Sequence, residues 1–377
     1  MPKLCDICEI AAGQGAPQGE TNYCSCNEGT PFIKAGDLSD LLSGKSENEI
    51  QCVNDMVAKQ HKLKLYPAGS ILFAKSGMSC MKGYVYRTQN PCYIVSHLAI
   101  VVPKNIDGEY LKYYFQYNKP NELIKDSAYP SISLQDISNI EITLPSLEIQ
   151  ISIASKLNKL HNIISLRKQQ LSKLDELVKS RFIELFDGKG YPEITIGELV
   201  ASKVNSVKKV FAPTDTIKYI DISSIDNKRN VMTGYTEYVL EEAPSRAQQH
   251  IKKGDIVVST VRPNLKNVAI TGYEYDNLVA SSGFCVLRAE KCLPAYLMAV
   301  VCSNDFIDAM TKVVTGANYP AIKDSDVRNY VVPNPPIEIQ EQFTAFVEQI
   351  DKSKFEIQQS LEKLETLKKA LMQKYFG

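Results

Sequence analysis

The second half of this 377-residue chain repeats the first. Tyr129-Pro130-Ser131-Ile132 returns as Tyr319-Pro320-Ala321-Ile322, and Pro145-Ser146-Leu147-Glu148-Ile149-Gln150 returns as Pro335-Pro336-Ile337-Glu338-Ile339-Gln340, both 190 residues on. The register continues without a gap: Leu171, Lys173, Leu174, Leu177, Lys179 and Phe186 align with Leu361, Lys363, Leu364, Leu367, Lys369 and Phe376. A weaker upstream copy, 185 residues apart, matches Gly69-Ser70-Ile71-Leu72 to Gly254-Asp255-Ile256-Val257 and Val95-Ser96 to Ala280-Ser281. A repeat at fixed period sets the architecture ahead of local propensity. The chain reads as lobe, helix, lobe, helix.

Proline near the first helical position and a glutamate in the first turn mark helix starts after Pro145 and Pro335. Ile153, Leu157, Leu160, Ile164, Leu171, Leu174, Val178 and Leu185 then follow in steps of three and four, with Arg167 and Arg181 at two seam positions. The second copy gives Phe343, Val347, Ile350, Ile357, Leu361, Leu364, Leu371 and Tyr375, interrupted by Lys354 and Lys368. These are coiled-coil seams, expected to pack on each other. Helix one leaves lobe one and ends at lobe two, so only an antiparallel pair brings helix two back. Each helix of about 40 residues would span roughly 60 Å, and the tandem repeat would become a pseudo-two-fold. The expected fold is α+β: two α/β lobes joined by two long helices forming an antiparallel coiled coil. Lobe one is placed at residues 1–145, helix one at 146–187, lobe two at 188–335 and helix two at 336–377. The break after helix one is Asp187-Gly188-Lys189-Gly190-Tyr191-Pro192, where glycine and proline forbid continuation.

Within the lobes, residues 69–76 and 254–260 read as β-runs, 93–102 and 279–287 as further strands, and 110–117 and 295–303 as helices.

Apolar residues make up 44% and charged residues 23%, with no apolar run long enough to span a membrane and no secretory leader pattern near Met1. A cytoplasmic location is expected. Lysine plus arginine equals aspartate plus glutamate, 43 against 43, so a nucleic-acid site requires local segregation of charge. Between Asp55 and Asp107 there is no acidic residue, whereas Lys59, Lys62, Lys64, Lys75, Lys82, Arg87 and Lys104 fall there. One face of lobe one is expected to be positive.

Catalytic patterns are missing. Gly44-Lys45-Ser46 has the end of a phosphate loop, but position 39 is serine where glycine is required. Asn334-Pro335-Pro336-Ile337 lacks the aromatic of an amino-methyltransferase motif and aligns with Leu144-Pro145-Ser146-Leu147, a helix start. His61, His97, His161 and His250 are dispersed, with no two at metal-ligand spacing. Cys5, Cys8, Cys24 and Cys26 could supply four thiolates to zinc. The repeat opposes this by aligning Cys8 with Val200, a core position, and the cysteines are read as reduced packing or surface residues with no metal.

The lobes instead offer DNA-type side chains on short segments. Lys75, Ser76, Lys82 and Arg87 follow the first β-run, and Thr260, Arg262, Asn264, Lys266 and Asn267 follow its counterpart. Arginine, lysine and asparagine reach base edges, while serine and threonine suit phosphates. Tyr129, Ser131 and Ser133, and in the second copy Tyr319 and Lys323, add polar groups just before each helix.

At Gly254 to Ser259, Tyr-Pro-Ala-Ile, Pro-Pro-Ile-Glu-Ile-Gln-Glu-Gln and the long Leu/Lys/Glu helix closing on phenylalanine, the chain resembles the specificity subunit of type I restriction-modification enzymes along essentially its whole length. Lobe one departs most, being cysteine-rich and carrying Gly69-Ser70-Ile71 in place of Gly-Asp-Ile. The resemblance implies that each lobe is a target-recognition domain reading half of a split site in double-stranded DNA. It implies that the helices set the gap and dock two adenine-N6 methyltransferase subunits. The chain itself would perform no chemistry and hold no cofactor; S-adenosylmethionine would come with the methyltransferases, and ATP hydrolysis with motor-nuclease subunits where present. The competing reading is a coiled-coil scaffold without base recognition.

Overall fold

The computed structural model describes residues 1–25, 28–316 and 320–377. The chain divides into two compact units, one made of Met1–Lys168 with Gln359–Gly377 and the other of Gln169–Gln358.

The first unit holds a four-stranded antiparallel sheet in the order Cys8–Ala12, Leu98–Pro103, Ile71–Ala74, Tyr86–Arg87. A smaller sheet places Thr30–Ile33 between Cys52–Val53 and Tyr93–Ile94, parallel to the latter. Ile71–Ala74 is buried on both faces, which is why it reads as an unbroken apolar run. The second unit repeats the plan: Ile256–Ser259 lies between Val268–Ile270 and Phe284–Leu287, and Leu278–Ser281 pairs parallel with Thr216–Ile220. The single strands expected at 93–102 and 279–287 are each two strands in different sheets. The first breaks at a turn in which Leu98 N donates to Val95 O (3.0 Å), the second where Gly283 N donates to the Ser281 hydroxyl (3.2 Å). Both sides of each corner are buried, so hydrophobicity alone does not mark it.

The lobes differ in what joins their matching strands. After Thr30–Ile33 come helices Asp37–Leu42 and Asp55–Gln60; after Thr216–Ile220 come a hairpin, Ile225–Asp226 with Val231–Met232, and the strand Thr236–Val239.

The two long helices run Leu147–Phe186 and Ile337–Phe376, 40 residues each. The repeated glutamine after each start explains their seating. Gln150, 2% exposed, accepts from Asp107 N (2.8 Å) and donates to Pro145 O (2.8 Å); Gln340, 1% exposed, accepts from Leu293 N (2.8 Å) and donates to Pro335 O (3.0 Å). One buried amide thereby ties a long-helix start to the cap of a lobe helix, Gly108–Tyr117 or Pro294–Val301. The closing phenylalanines are equally specific. Phe376 packs on Tyr110 in the first unit (5.1 Å between ring centres), and Phe186 on Tyr296 in the second (4.9 Å).

All the expected seam positions, from Ile153 to Leu185 and from Phe343 to Tyr375, are buried or half-buried. In the first unit Lys168 pairs with Glu365 (2.8 Å). In the second, Lys354 pairs with Asp175 (2.6 Å) while Phe186 meets Phe343, so the helices run antiparallel. The seam cations are accommodated rather than expelled: Arg181 lies over Phe346, 5.9 Å from the ring centre. Burial, then the charges of Lys112 and Lys168, pushes the Lys368 ammonium below its ordinary range.

Cys8 is buried beside Leu4 and Ile7, as Val200 is beside Ile196 and Leu199. Burial pushes its thiol up to about 12, so it packs as a neutral apolar group. Cys26 lies outside the described residues. Cys52 is disulfide-bonded, which corrects the reading for that residue, while Cys5, Cys8, Cys24, Cys80, Cys92, Cys285, Cys292 and Cys302 are free as expected.

Candidate nucleic-acid interface

In each lobe the end of the central buried strand makes the same three backbone bonds, one to the turn before the neighbouring strand and two to the segment before the long helix. In lobe one, Lys75 N donates to His97 O (2.9 Å), Ile132 N to Lys75 O (2.8 Å) and Gly77 N to Pro130 O (3.1 Å). In lobe two, Thr260 N donates to Gly283 O (2.9 Å), Ile322 N to Thr260 O (2.9 Å) and Arg262 N to Pro320 O (2.8 Å). Segments more than 50 residues apart in sequence are thus brought edge to edge, with bridges Ser76 to Ser131 and Val261 to Ala321. Ser131 stands beside Ser76, and Tyr129, two residues before it, is 82% exposed; Tyr319 lies outside the described residues.

Beyond the laced strand, each lobe makes a tight turn between two left-handed residues. Lobe one uses Gly77 (φ 78°), the turn Met78–Lys82 and Gly83 (φ 60°). Lobe two uses Arg262 (φ 50°), the turn Pro263–Leu265 and Lys266 (φ 55°). Left-handed backbone costs a side-chain-bearing residue roughly 1–2 kcal/mol, a cost glycine avoids. Lobe two holds two cations where this cost is incurred. Lys266 Nζ also donates to Asn304 Oδ1 (2.9 Å), fixing the turn to the helix Asn304–Lys312.

The structure removes some candidates. Thr260 is 8% exposed and its hydroxyl donates to Gly283 O (2.9 Å); Asn267, also 8% exposed, has its carbonyl bound to Ser259 N (2.9 Å). Both belong to the frame rather than the surface. Arg87 pairs with Glu109 (3.1 Å), packed over Gly69 and Gly108, and is an internal brace. Ser133 caps the helix Leu134–Ser138, accepting from Asp136 N (3.0 Å); Lys323 occupies the matching cap position and is exposed. The positive face expected of lobe one is partly cancelled, because Glu9 pairs with Lys64 (2.8 Å) and Lys104 (3.4 Å). Lys82, Arg262 and Asn264 remain exposed, and Lys75, Ser76 and Lys266 half-buried, with Ser76 Oγ 2.9 Å from His97 Nδ1.

Two residues that sequence reasoning missed hold the lobe-two turn from outside. Asn227 Nδ2 donates to Leu265 O (2.8 Å), and Asn230 Nδ2 to Lys266 O (3.3 Å) and Val268 O (3.1 Å). The cluster Asp226-Asn227-Lys228-Arg229-Asn230 between Ile225 and Val231 was the available hairpin signal.

The seam residues Ile153, Leu157, Leu160, Ile164, Leu171, Leu174, Phe343, Val347, Ile350, Ile357, Leu361 and Leu364 are buried or half-buried, as expected of seams that pack on each other, which leaves the outer faces of the helices for partners. The large apolar side chains left exposed on the helices include Ile163, Leu166, Leu177, Ile183, Phe355 and Leu367, with Leu147, Ile149, Ile151 and Ile337 at the helix starts.

The model of the type I restriction modification DNA specificity domain matches this chain twice, at residues 1–176 and 189–369. The chain belongs to that family. It is a specificity subunit with two target-recognition domains, in a family whose members are non-catalytic. It is 22% identical over 401 residues to the EcoDI specificity subunit of Escherichia coli, covering 91% of this chain and 87% of that protein. It is 28% identical over 171 residues to the MjaIX specificity subunit of Methanocaldococcus jannaschii, a match spanning 44% of this chain and 36% of that protein. The fold is that of the S subunit from M. genitalium, with a TM-score of 0.59 at 13% identity over 100% of this chain and 95% of that one. Among the described residues no helix is long and apolar enough to cross a membrane.

Proposed function

We propose that each lobe reads one half of a bipartite site in double-stranded DNA through its laced strand end and turn. Residues 1–145 and 188–335 are the two target-recognition domains, and 146–187 and 336–377 are the helices that set the gap between half-sites. The observation that carries this reading is one hydrogen-bonded frame, built twice, presenting different side chains: Lys75, Ser76, Lys82, Tyr129 and Ser131 in one lobe, and Arg262, Asn264, Lys266 and Lys323 in the other. A constant frame with variable side chains is what two dissimilar half-sites require.

The partners are two adenine-N6 DNA methyltransferase subunits, which bring S-adenosylmethionine and seat against the exposed apolar residues of the long helices. Restriction subunits that hydrolyse ATP join where the system has them. The complex works in the cytoplasm, where the DNA is.

The test is genome-wide detection of N6-methyladenine in cells carrying this gene and its methyltransferase partner, against cells lacking the gene. A split motif that disappears with the gene is expected; an unchanged methylome would overturn the proposal. Insertion of one heptad at 165–175 should move the gap and leave both half-sites unchanged.

A further inference from the structure

The hairpin Ile225–Asp226/Val231–Met232 is present in lobe two, while lobe one carries helices Asp37–Leu42 and Asp55–Gln60 between the corresponding strands. Its tip is ordered by Asp226, whose carboxylate accepts from Lys228 N (3.0 Å) and Arg229 N (3.2 Å). Lys228 and Arg229 are exposed at that tip, and among the described residues neither makes an ion pair. The base of the tip is fastened to the recognition turn. Asn227 reaches Leu265 O, and Asn230, itself left-handed at φ 54°, reaches Lys266 O and Val268 O.

These bonds settle the hairpin against the turn that carries Arg262 and Lys266. Four cations from two segments are therefore held on one buttressed element. A loose pair of surface cations adds only diffuse attraction, whereas cations at a fixed offset from a reading turn meet the DNA backbone in one register. Three left-handed residues bearing side chains, Asn230, Arg262 and Lys266, fall within this assembly. Such backbone persists where the surroundings over-determine it, and it concentrates at functional sites.

We propose that this hairpin is a second DNA-contacting element of lobe two, with Lys228 and Arg229 clamping backbone phosphates beside the bases read by the 262–266 turn. This rests on the half-site reading above. The two half-sites are then held unequally, lobe two by turn and hairpin together, lobe one by its turn.

The experiment uses the full chain assembled with its methyltransferase and a duplex taken from a genomic site that the complex methylates. Lys228→Gln with Arg229→Gln should weaken binding roughly tenfold or more and make the log–log salt slope shallower by about 2, with assembly and lobe-one recognition unchanged. Asn230→Gly, which frees the hairpin but keeps its charges, should retain the slope and lose discrimination at the lobe-two half-site. Unchanged affinity and slope for the glutamine pair, in an assay where Arg262→Gln with Lys266→Gln weakens binding, would overturn the hairpin and spare the turn. Unchanged binding for both pairs would overturn the half-site reading itself.

Discussion

The two lobes share a frame and differ in how it is braced. In lobe two Asp255, 2% exposed, grips Arg288 through both carboxylate oxygens (2.8 and 2.6 Å) and accepts from Lys252 N (2.8 Å). The matching residue in lobe one is Ser70, whose hydroxyl donates to Pro67 O (2.7 Å) and whose N–H is taken by Thr88 (3.1 Å). Lobe one places its buried carboxylate elsewhere: Glu47 accepts from the Tyr86 hydroxyl, Gln89 N and Asn90 N (2.7–2.9 Å). A fixed backbone plan thus tolerates different polar interiors, provided each buried group finds its own partners. The recognition turns show the same freedom at the surface, with glycines in one lobe and cations in the other at the left-handed positions.

The comparison is broken most strongly at the helix ends. Phe186→Ala empties a packed aromatic cluster with Phe182, Tyr296 and Phe343, and should cost about 3–5 kcal/mol by urea unfolding; Phe376→Ala, at the half-buried counterpart, should cost about 2. Exchanging the braces comes next. Asp255→Ser strands the partly exposed Arg288 and Ser70→Asp buries an unpaired carboxylate, so each should cost about 2–3 kcal/mol; a neutral result for either would mean that the two interiors are interchangeable.

Glu109 tests a brace that lobe one alone carries. Burial would raise its carboxyl, but Lys112, Arg87 and Asn158 outweigh burial and hold it below the usual carboxylate range. A lowered folded value means that the stabilisation is present above that range and is lost as pH falls through it. Glu109→Gln should therefore be about 1 kcal/mol less stable at neutral pH, reduced from a buried-pair value because the group is partly exposed, and should match the parent in acid. The smallest effect separates stability from function. Arg262→Gly relieves a left-handed side chain and should stabilise lobe two by about 0.5–1 kcal/mol while weakening DNA binding; Gly77→Arg should do the reverse to lobe-one stability.

Much of this was legible in the sequence because helices and repeats are encoded locally. The seam positions 153–185 and 343–375 follow from a three-four spacing, and the alignment of Cys8 with Val200 correctly places a cysteine in the core. The candidate DNA residues were only half legible. Thr260, Ser133 and Arg87 have the side chains of DNA readers, yet spend them on Gly283, a helix cap and Glu109, and Asn267 is buried with its backbone carbonyl in the strand frame. Residue type does not reveal which partner is already satisfied within the fold.

Repeat period, helix register and family were determined by the sequence alone, since each is a pattern of residue types along the chain. Tertiary structure decided which cations stay exposed, how Glu9 and Glu109 offset a run without acids, and that Asn227 and Asn230 hold a hairpin against the turn at 262–266. Those outcomes depend on contacts between residues 22 to 95 positions apart, and the free energy of a charge or amide is set by what the fold places beside it.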